Sequence, residues 1–312
     1  MNAHRKPLSG GRWHFQHGPI DIVIGADGEA QAIEEAHEAA WRRFSSVLNE
    51  LVAELALLRQ PVHGACPLKG VVARRMWQAC HPFCGEFITP MAAVAGAVAQ
   101  ELIAFYERPG IARAWVNNGG DIALHLAPGE SLRVGLFADI AQYDAHEAMQ
   151  PLLRTDGNFS VHASLPVRGI ATSGWRGRSL SLGIADSVTV LARTAAQADA
   201  AATMIANAVD IQDARVERRP ASQIKDDSDL GDLPVTVNVP SLGETAVRQA
   251  LRAGHRRAKQ LQAADLIWSA VIVCQGWTAT TDSAQHQPLP RPDAARPAGR
   301  HRTALRLKAP RS

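Results

Sequence analysis

The chain has 312 residues, 46% of them hydrophobic and 20% charged, enough to bury a sizeable core as one large domain. The formal net charge of +3 resides at one end, because residues 282–312 hold seven Arg or Lys and two Asp; the body is near −2, which argues against a nucleic-acid groove. No apolar run is long enough to span a membrane, no apolar stretch follows the charged amino-terminal residues as in a secretory signal, and four Cys make no disulfide scaffold, so a cytoplasmic protein with no membrane partner is expected.

In chain order, residues 1–12 read as a flexible polar arm. Ile20-Asp21-Ile22-Val23-Ile24 reads as a strand, closed by the turn residues Gly25-Ala26-Asp27-Gly28. Over 30–58, Trp41, Phe44, Val47, Leu48, Leu51, Leu55 and Leu58 recur at three- and four-residue spacing and predict one long amphipathic helix. A Pro-, Gly- and Cys-rich segment covers 61–90. Pro90 is a start signal for a second helix over 91–106, whose small residues let another element pack close to its backbone. Strands are expected over 112–116, 122–126, 132–137, 167–172 and 187–192, and a third helix over 194–208. A charged loop spans 213–233, a basic helix 245–264 and an apolar strand 267–274. From 278 on, Pro, Arg, Gln and Ala dominate without periodicity, and the tail 278–312 reads as disordered. The order of elements predicts an α+β domain over 13–277, helices packed on a mostly antiparallel sheet.

Three motifs carry candidate chemistry. In Asn117-Asn118-Gly119-Gly120-Asp121, two glycines let the backbone approach a ligand and aim N–H groups at anionic oxygens, and Asp121 adds a carboxylate; the plain alternative is a hairpin turn. In Gly169-Ile170-Ala171-Thr172-Ser173-Gly174, two hydroxyls end an apolar strand, where they can meet a polar ring edge or a phosphate. In the third helix, Asp199 and Thr203 stand at i and i+4 on one face. They are hard oxygen ligands of the kind that suits Mg²⁺ together with substrate phosphates; the alternative is a solvated Asp and a Thr bonded back to its own helix. Cys80-His81-Pro82-Phe83-Cys84, with Cys66 and His63 upstream, offers soft ligands, but no CxxC pair, so thiols without zinc are expected. His125 and His162 stand near no evident Ser or Cys partner.

Taken in order, these motifs resemble the ApbE family of FAD:protein FMN transferases, which shows Gly-Gly-Asp, Val-Gly, Thr-Ser-Gly, Val-Thr-Val and Ala-Asp-x-x-Ala-Thr in that sequence. Here they read NNGGDIAL at 117–124, RVGLFADI at 133–140, GIATSG at 169–174, DSVTVLA at 186–192 and ADAAATMIANAV at 198–209. The likeness is greatest to an uncharacterised cytoplasmic branch of that superfamily, through the run from Pro90 to Gly96 and that from Gly177 to Asp186. The resemblance implies a T-fold-type ApbE-like domain with a flavin nucleotide, FAD or FMN, lined by Asn118, Gly119, Gly120, Asp121, Thr172 and Ser173. It further implies Mg²⁺ on Asp199 and Thr203, and FMN transfer to a protein acceptor or cleavage of FAD to FMN and AMP. One departure bears on activity. The family's transferases carry a His and an Asp-Pro-x-Thr-Gly loop before the Val-Thr-Val strand, and residues 179–186 here have neither. A flavin- or pterin-binding protein without transfer is therefore the alternative.

Overall fold

The computed structural model describes residues 2–136, 157–177, 179–281 and 287–288. The end of the motif at 133–140, Arg178 and nearly all of the expected tail lie outside the described residues.

In chain order the strands are β1 (His4–Leu8), β2 (Arg12–His17), β3 (Ile20–Gly28), β4 (Ile111–Asn118), β5 (Asp121–Leu126), β6 (Ser131–Leu136) and β7 (Gly157–His162). They continue as β8 (Gly169–Ser173), β9 (Ser187–Ala192), β10 (Glu217–Pro220), β11 (Pro234–Asn238), β12 (Ser269–Cys274), β13 (Trp277–Thr280) and β14 (Gln287–Pro288). The helices are α1 (Ala30–Ala53), α2 (Leu55–Leu58), α3 (Val71–Cys80), α4 (Val94–Ile103), α5 (Ala195–Ala208) and α6 (Glu244–Ala263), with a 3₁₀ turn at Pro90–Ala93 leading into α4. One sheet runs β1-β2-β3-β4-β5-β8-β9-β12-β13-β14, and every recorded strand pairing is antiparallel. This is the expected α+β class.

Alternation along the strands separates two cores. Val188, Val190 and Ala192 of β9 join the large core beneath the helices, whereas Leu191 joins a smaller one with Leu124, Leu126, Val134, Phe159, Val161 and Ile170, where the β6–β7 hairpin covers the other face. Each such aliphatic side chain contributes roughly 1.5–3 kcal/mol when fully buried. On the helix side, α1 packs on β2 and β3, α4 on β4 and β5, α5 on β8 and β9, and α6 on β12 and β13.

Close approach at α5 is built from alanine and two glycines. A Cβ on Gly96 would stand 2.3 Å from the Ala195 carbonyl oxygen, and one on Gly169 would stand 2.1 Å from the Thr194 carbonyl carbon. The small residues read from the sequence in α4 thus admit the start of α5 against its backbone.

Several elements differ from the expectations. The polar arm is instead a strand, because β1 pairs with β2 from His4↔Gln16 to Leu8↔Arg12 and Arg5 stacks over Trp13 and Trp41. The long helix breaks at Glu54, whose carboxylate accepts the Lys69 and Gly70 N–H groups at 2.7 Å and so caps α3, a helix hidden in the Pro/Gly/Cys-rich segment. The loop over 213–233 contains β10, which pairs with β11. The sheet also continues past 277, since β13 pairs with β12.

Candidate functional site

The site forms where β4, β5, the start of α4 and the first turns of α5 meet. Asn118 and Asp121 pair across the β4–β5 hairpin, leaving Gly119 and Gly120 as its two loop residues, with φ of 66° and 112°. Such angles favour glycine and give the turn a primed geometry. The Gly120 N–H donates to Asn117 Oδ1 at 2.8 Å, so this amide serves the turn rather than an anion. The flanking residues face the helices. Asn118 is buried and donates from Nδ2 to the Ala95 carbonyl at 3.1 Å. Asp121 is also buried, and its Oδ1 accepts the Thr172 N–H at 3.1 Å.

Asp199 reaches the same corner from α5. Its Oδ2 accepts the Gly96 N–H at 2.9 Å, in the first turn of α4, where backbone donors lack helical partners. Burial pushes the Asp199 carboxyl well above the ordinary carboxylate range, and the Asp121 charge pushes it the same way; the Gly96 and Ala95 N–H groups oppose both. The two carboxylates thus act on one another through their charges, ionising both is costly, and a cation near both would offset that cost. Both are hard oxygen donors, as Mg²⁺ requires. Thr203, half-buried, lies one helical turn along the same face of α5. Among the described residues no group of three or more His, Cys, Asp or Glu is arranged to hold a metal. Any Mg²⁺ held here would therefore rely on phosphate oxygens and water for its remaining positions.

The two strand-end hydroxyls part company. Thr172 Oγ1 lies 3.0 Å from Thr189 Oγ1 in the facing pair of β8 and β9. By alternation it shares the face of Ile170, away from Asp199, whereas Ser173 shares the helix face with Ala171. The structure thus gathers Asn118, Asp121 and Asp199, and sends the Thr172 hydroxyl elsewhere while keeping its N–H at the site.

Sequence reading missed the α4 amides of Ala95 and Gly96; the signal available was the glycine inside a small-residue run just after Pro90. It named Cys80 only as a soft ligand, not as a neighbour of these carboxylates. Cys80, buried at the end of α3, has its thiol pushed well up by burial and then by the charges of Asp199 and Asp229. Among its neighbours in sequence, His81 stacks on Trp77 with centroids 4.5 Å apart, and Cys66 and Cys84 are free thiols. His125 bonds the Ile111 carbonyl at 3.2 Å, and His162 is exposed on β7.

No helix among the described residues is long and apolar enough to cross a membrane. The chain is 36% identical over 218 residues to a UPF0280 protein of Methanopyrus kandleri, a match covering 68% of this chain and 80% of that one. It is also 36% identical over 150 residues to a UPF0280 protein of Methanothrix thermoacetophila, covering 48% of this chain and only about half, 55%, of that relative. Among solved structures, the apo flavinyl transferase ApbE of Pseudomonas stutzeri aligns over 89% of this chain and 93% of its own, at 12% identity and a TM-score of 0.39. The family model described as AbpE bacteria matches residues 4–280. The chain therefore belongs to the AbpE bacteria family, as the order of its motifs led one to expect.

Proposed function

We propose that this protein binds a flavin nucleotide, FAD or FMN, with Mg²⁺ in the corner between the β4–β5 hairpin and the starts of α4 and α5, and acts on the pyrophosphate of FAD. The observation that carries this reading is Asp199 held on the α4 amide of Gly96, with Asp121 near enough for its charge to act on it. Asp199, Asp121 and Thr203 would hold the cation, which when bound neutralises pyrophosphate charge and makes AMP a better leaving group. Asn118 and the Gly119-Gly120 turn would flank the nucleotide, with Ser173 toward the ring system. The products would be AMP and FMN, the latter either free or joined to a hydroxyl of a protein acceptor.

Incubation with FAD and MgCl₂, followed by chromatography for AMP and FMN, tests the proposal. Turnover by wild type that is lost in Asp199→Ala is expected; no AMP from wild type removes the catalytic reading.

A second reading, flavin or pterin binding without transfer, is favoured by residues 179–186. Where the family's transferases place their His and loop, this segment is packed as structure. Ser181, Ile184, Ala185 and Asp186 are buried, and Leu182 N–H bonds Asn207 Oδ1 at 3.0 Å. A protein that purifies yellow, or binds FAD without releasing AMP, would decide for it.

A further inference from the structure

Between β10 and β11, residues 221–233 form a loop with a closed neck. The Ala221 N–H donates to the Leu233 carbonyl at 3.0 Å, Ser222 N–H to the Gly231 carbonyl at 2.8 Å, and Ser222 Oγ to Asp232 Oδ1 at 2.7 Å. Its ends are thus held close together, as in other compact surface loops. The neck is anchored through β11, where the Thr236 N–H donates to the Ser181 carbonyl at 2.9 Å. The outer part, residues 222–227, is exposed, and Ile224 shows 42% of its surface.

Among the described residues, Asp227 and Asp229 make polar side-chain contacts from the loop to the body of the protein. Asp227 lies 3.7 Å from Arg59, an exposed pair that contributes little. Asp229 accepts a hydrogen bond from the hydroxyl of Thr89, which is only 2% exposed. Thr89 immediately precedes the Pro90–Ala93 turn, and its carbonyl accepts the Ala92 N–H; six and seven residues on lie the α4 amides of Ala95 and Gly96 that face Asp199. That turn packs on α3 and α5. Asp229 is therefore tied to the segment that leads into α4 and packs on the helix of Asp199, and the charges of both Asp199 and Asp229 act on the Cys80 thiol.

We propose that residues 221–233 are a strap over the flavin-nucleotide site, latched by the Thr89–Asp229 hydrogen bond and released to admit and discharge the nucleotide. This inference rests on the function proposed above. Closure of such a strap excludes water from the pyrophosphate, which favours a protein hydroxyl over hydrolysis as acceptor. Release costs one charge-assisted hydrogen bond, so removing either partner raises the open population roughly tenfold.

The test uses the full-length protein, with Thr89→Val and Asp229→Ala, each of which removes one partner of the bond. Hydrogen exchange of the 221–233 amides is measured without ligand, and FAD association and dissociation rates with MgCl₂ are measured by stopped-flow fluorescence. Expected is exchange about tenfold faster in both variants, with association and dissociation rates rising together and the Kd within about twofold. Exchange unchanged by either substitution overturns the strap, whatever FAD does. Faster exchange with FAD rates equal to wild type overturns its placement over the site. If wild type binds no FAD while exchange in the variants is faster, the loop opens as described but the flavin reading itself falls.

Discussion

The carboxylate of Asp199 accepts a hydrogen bond at 2.9 Å from the N–H of Gly96, a residue 103 positions earlier in the chain. This contact gives Asp199 a structural task, capping α4 from a neighbouring helix, alongside its proposed role as a metal ligand. The two tasks are separable. In Asp199→Asn the amide oxygen still accepts from Gly96, while the repulsion with Asp121 disappears. The metal-free variant should melt at or a few degrees above wild type, and the stabilisation given by FAD with MgCl₂ should vanish. Thermal melts with and without both ligands check this. A variant that melts far below wild type, yet keeps its response to ligand, would show that capping is the only role.

Gly96→Ala sets helix propensity against packing. Alanine is favoured over glycine inside a helix by about 1 kcal/mol. Its methyl, however, would stand 2.3 Å from the Ala195 carbonyl oxygen and 2.9 Å from Asp199 Cβ, and the first of these is backbone that cannot rotate aside. Packing wins. A net loss of about 1–3 kcal/mol in urea unfolding is expected, together with weaker FAD binding, because α4 and α5 are the two walls that align Asp199.

These two residues also mark what the sequence made legible. The i, i+4 pair Asp199/Thr203, the Asn-Gly-Gly-Asp hairpin and the strand ends are local patterns, and each was readable in place. That Asp199 would meet Gly96 and Asp121 depends on α4 and α5 lying side by side over β5 and β8, a non-local fact. The Thr172 hydroxyl was drawn toward the site because adjacent hydroxyls look equivalent in a string, whereas strand alternation sends Thr172 and Ser173 to opposite faces. The elements missed were short or polar: β1 is His-Arg-Lys-Pro-Leu, and α3 hides behind a glycine with a remote Glu54 as its cap.

That face assignment is testable. Thr172→Val removes only the bond to Thr189, on the far side of the sheet, and keeps the N–H that Asp121 accepts. It should cost about 1 kcal/mol of stability and leave FAD affinity within about twofold. Ser173→Ala, on the helix face, should weaken FAD binding by more than that while changing stability little. Isothermal titration of both variants checks the contrast; equal losses in affinity would undo the assignment.

His37 supplies a pH dependence remote from the site. It is 5% exposed in α1, its Nδ1 lies 2.6 Å from Tyr106 Oη, and its Nε2 is buried with no hydrogen-bond partner among the described residues. Burial, reinforced by the nearby Arg5 charge, lowers its pKa from 6.5 to about 4. The folded protein thus keeps this ring neutral where the unfolded chain has already protonated it. Stability from this source is fully present above about pH 6.5 and is lost as pH falls toward 4, up to about 3 kcal/mol. Removing the ring strands the buried Tyr106 hydroxyl, so the comparison uses the double variant His37→Leu with Tyr106→Phe. Its unfolding free energy relative to wild type should improve steadily from pH 7 to pH 4, and urea melts across that range read it directly. A difference that stays constant with pH would mean that the ring takes up its proton equally in both states.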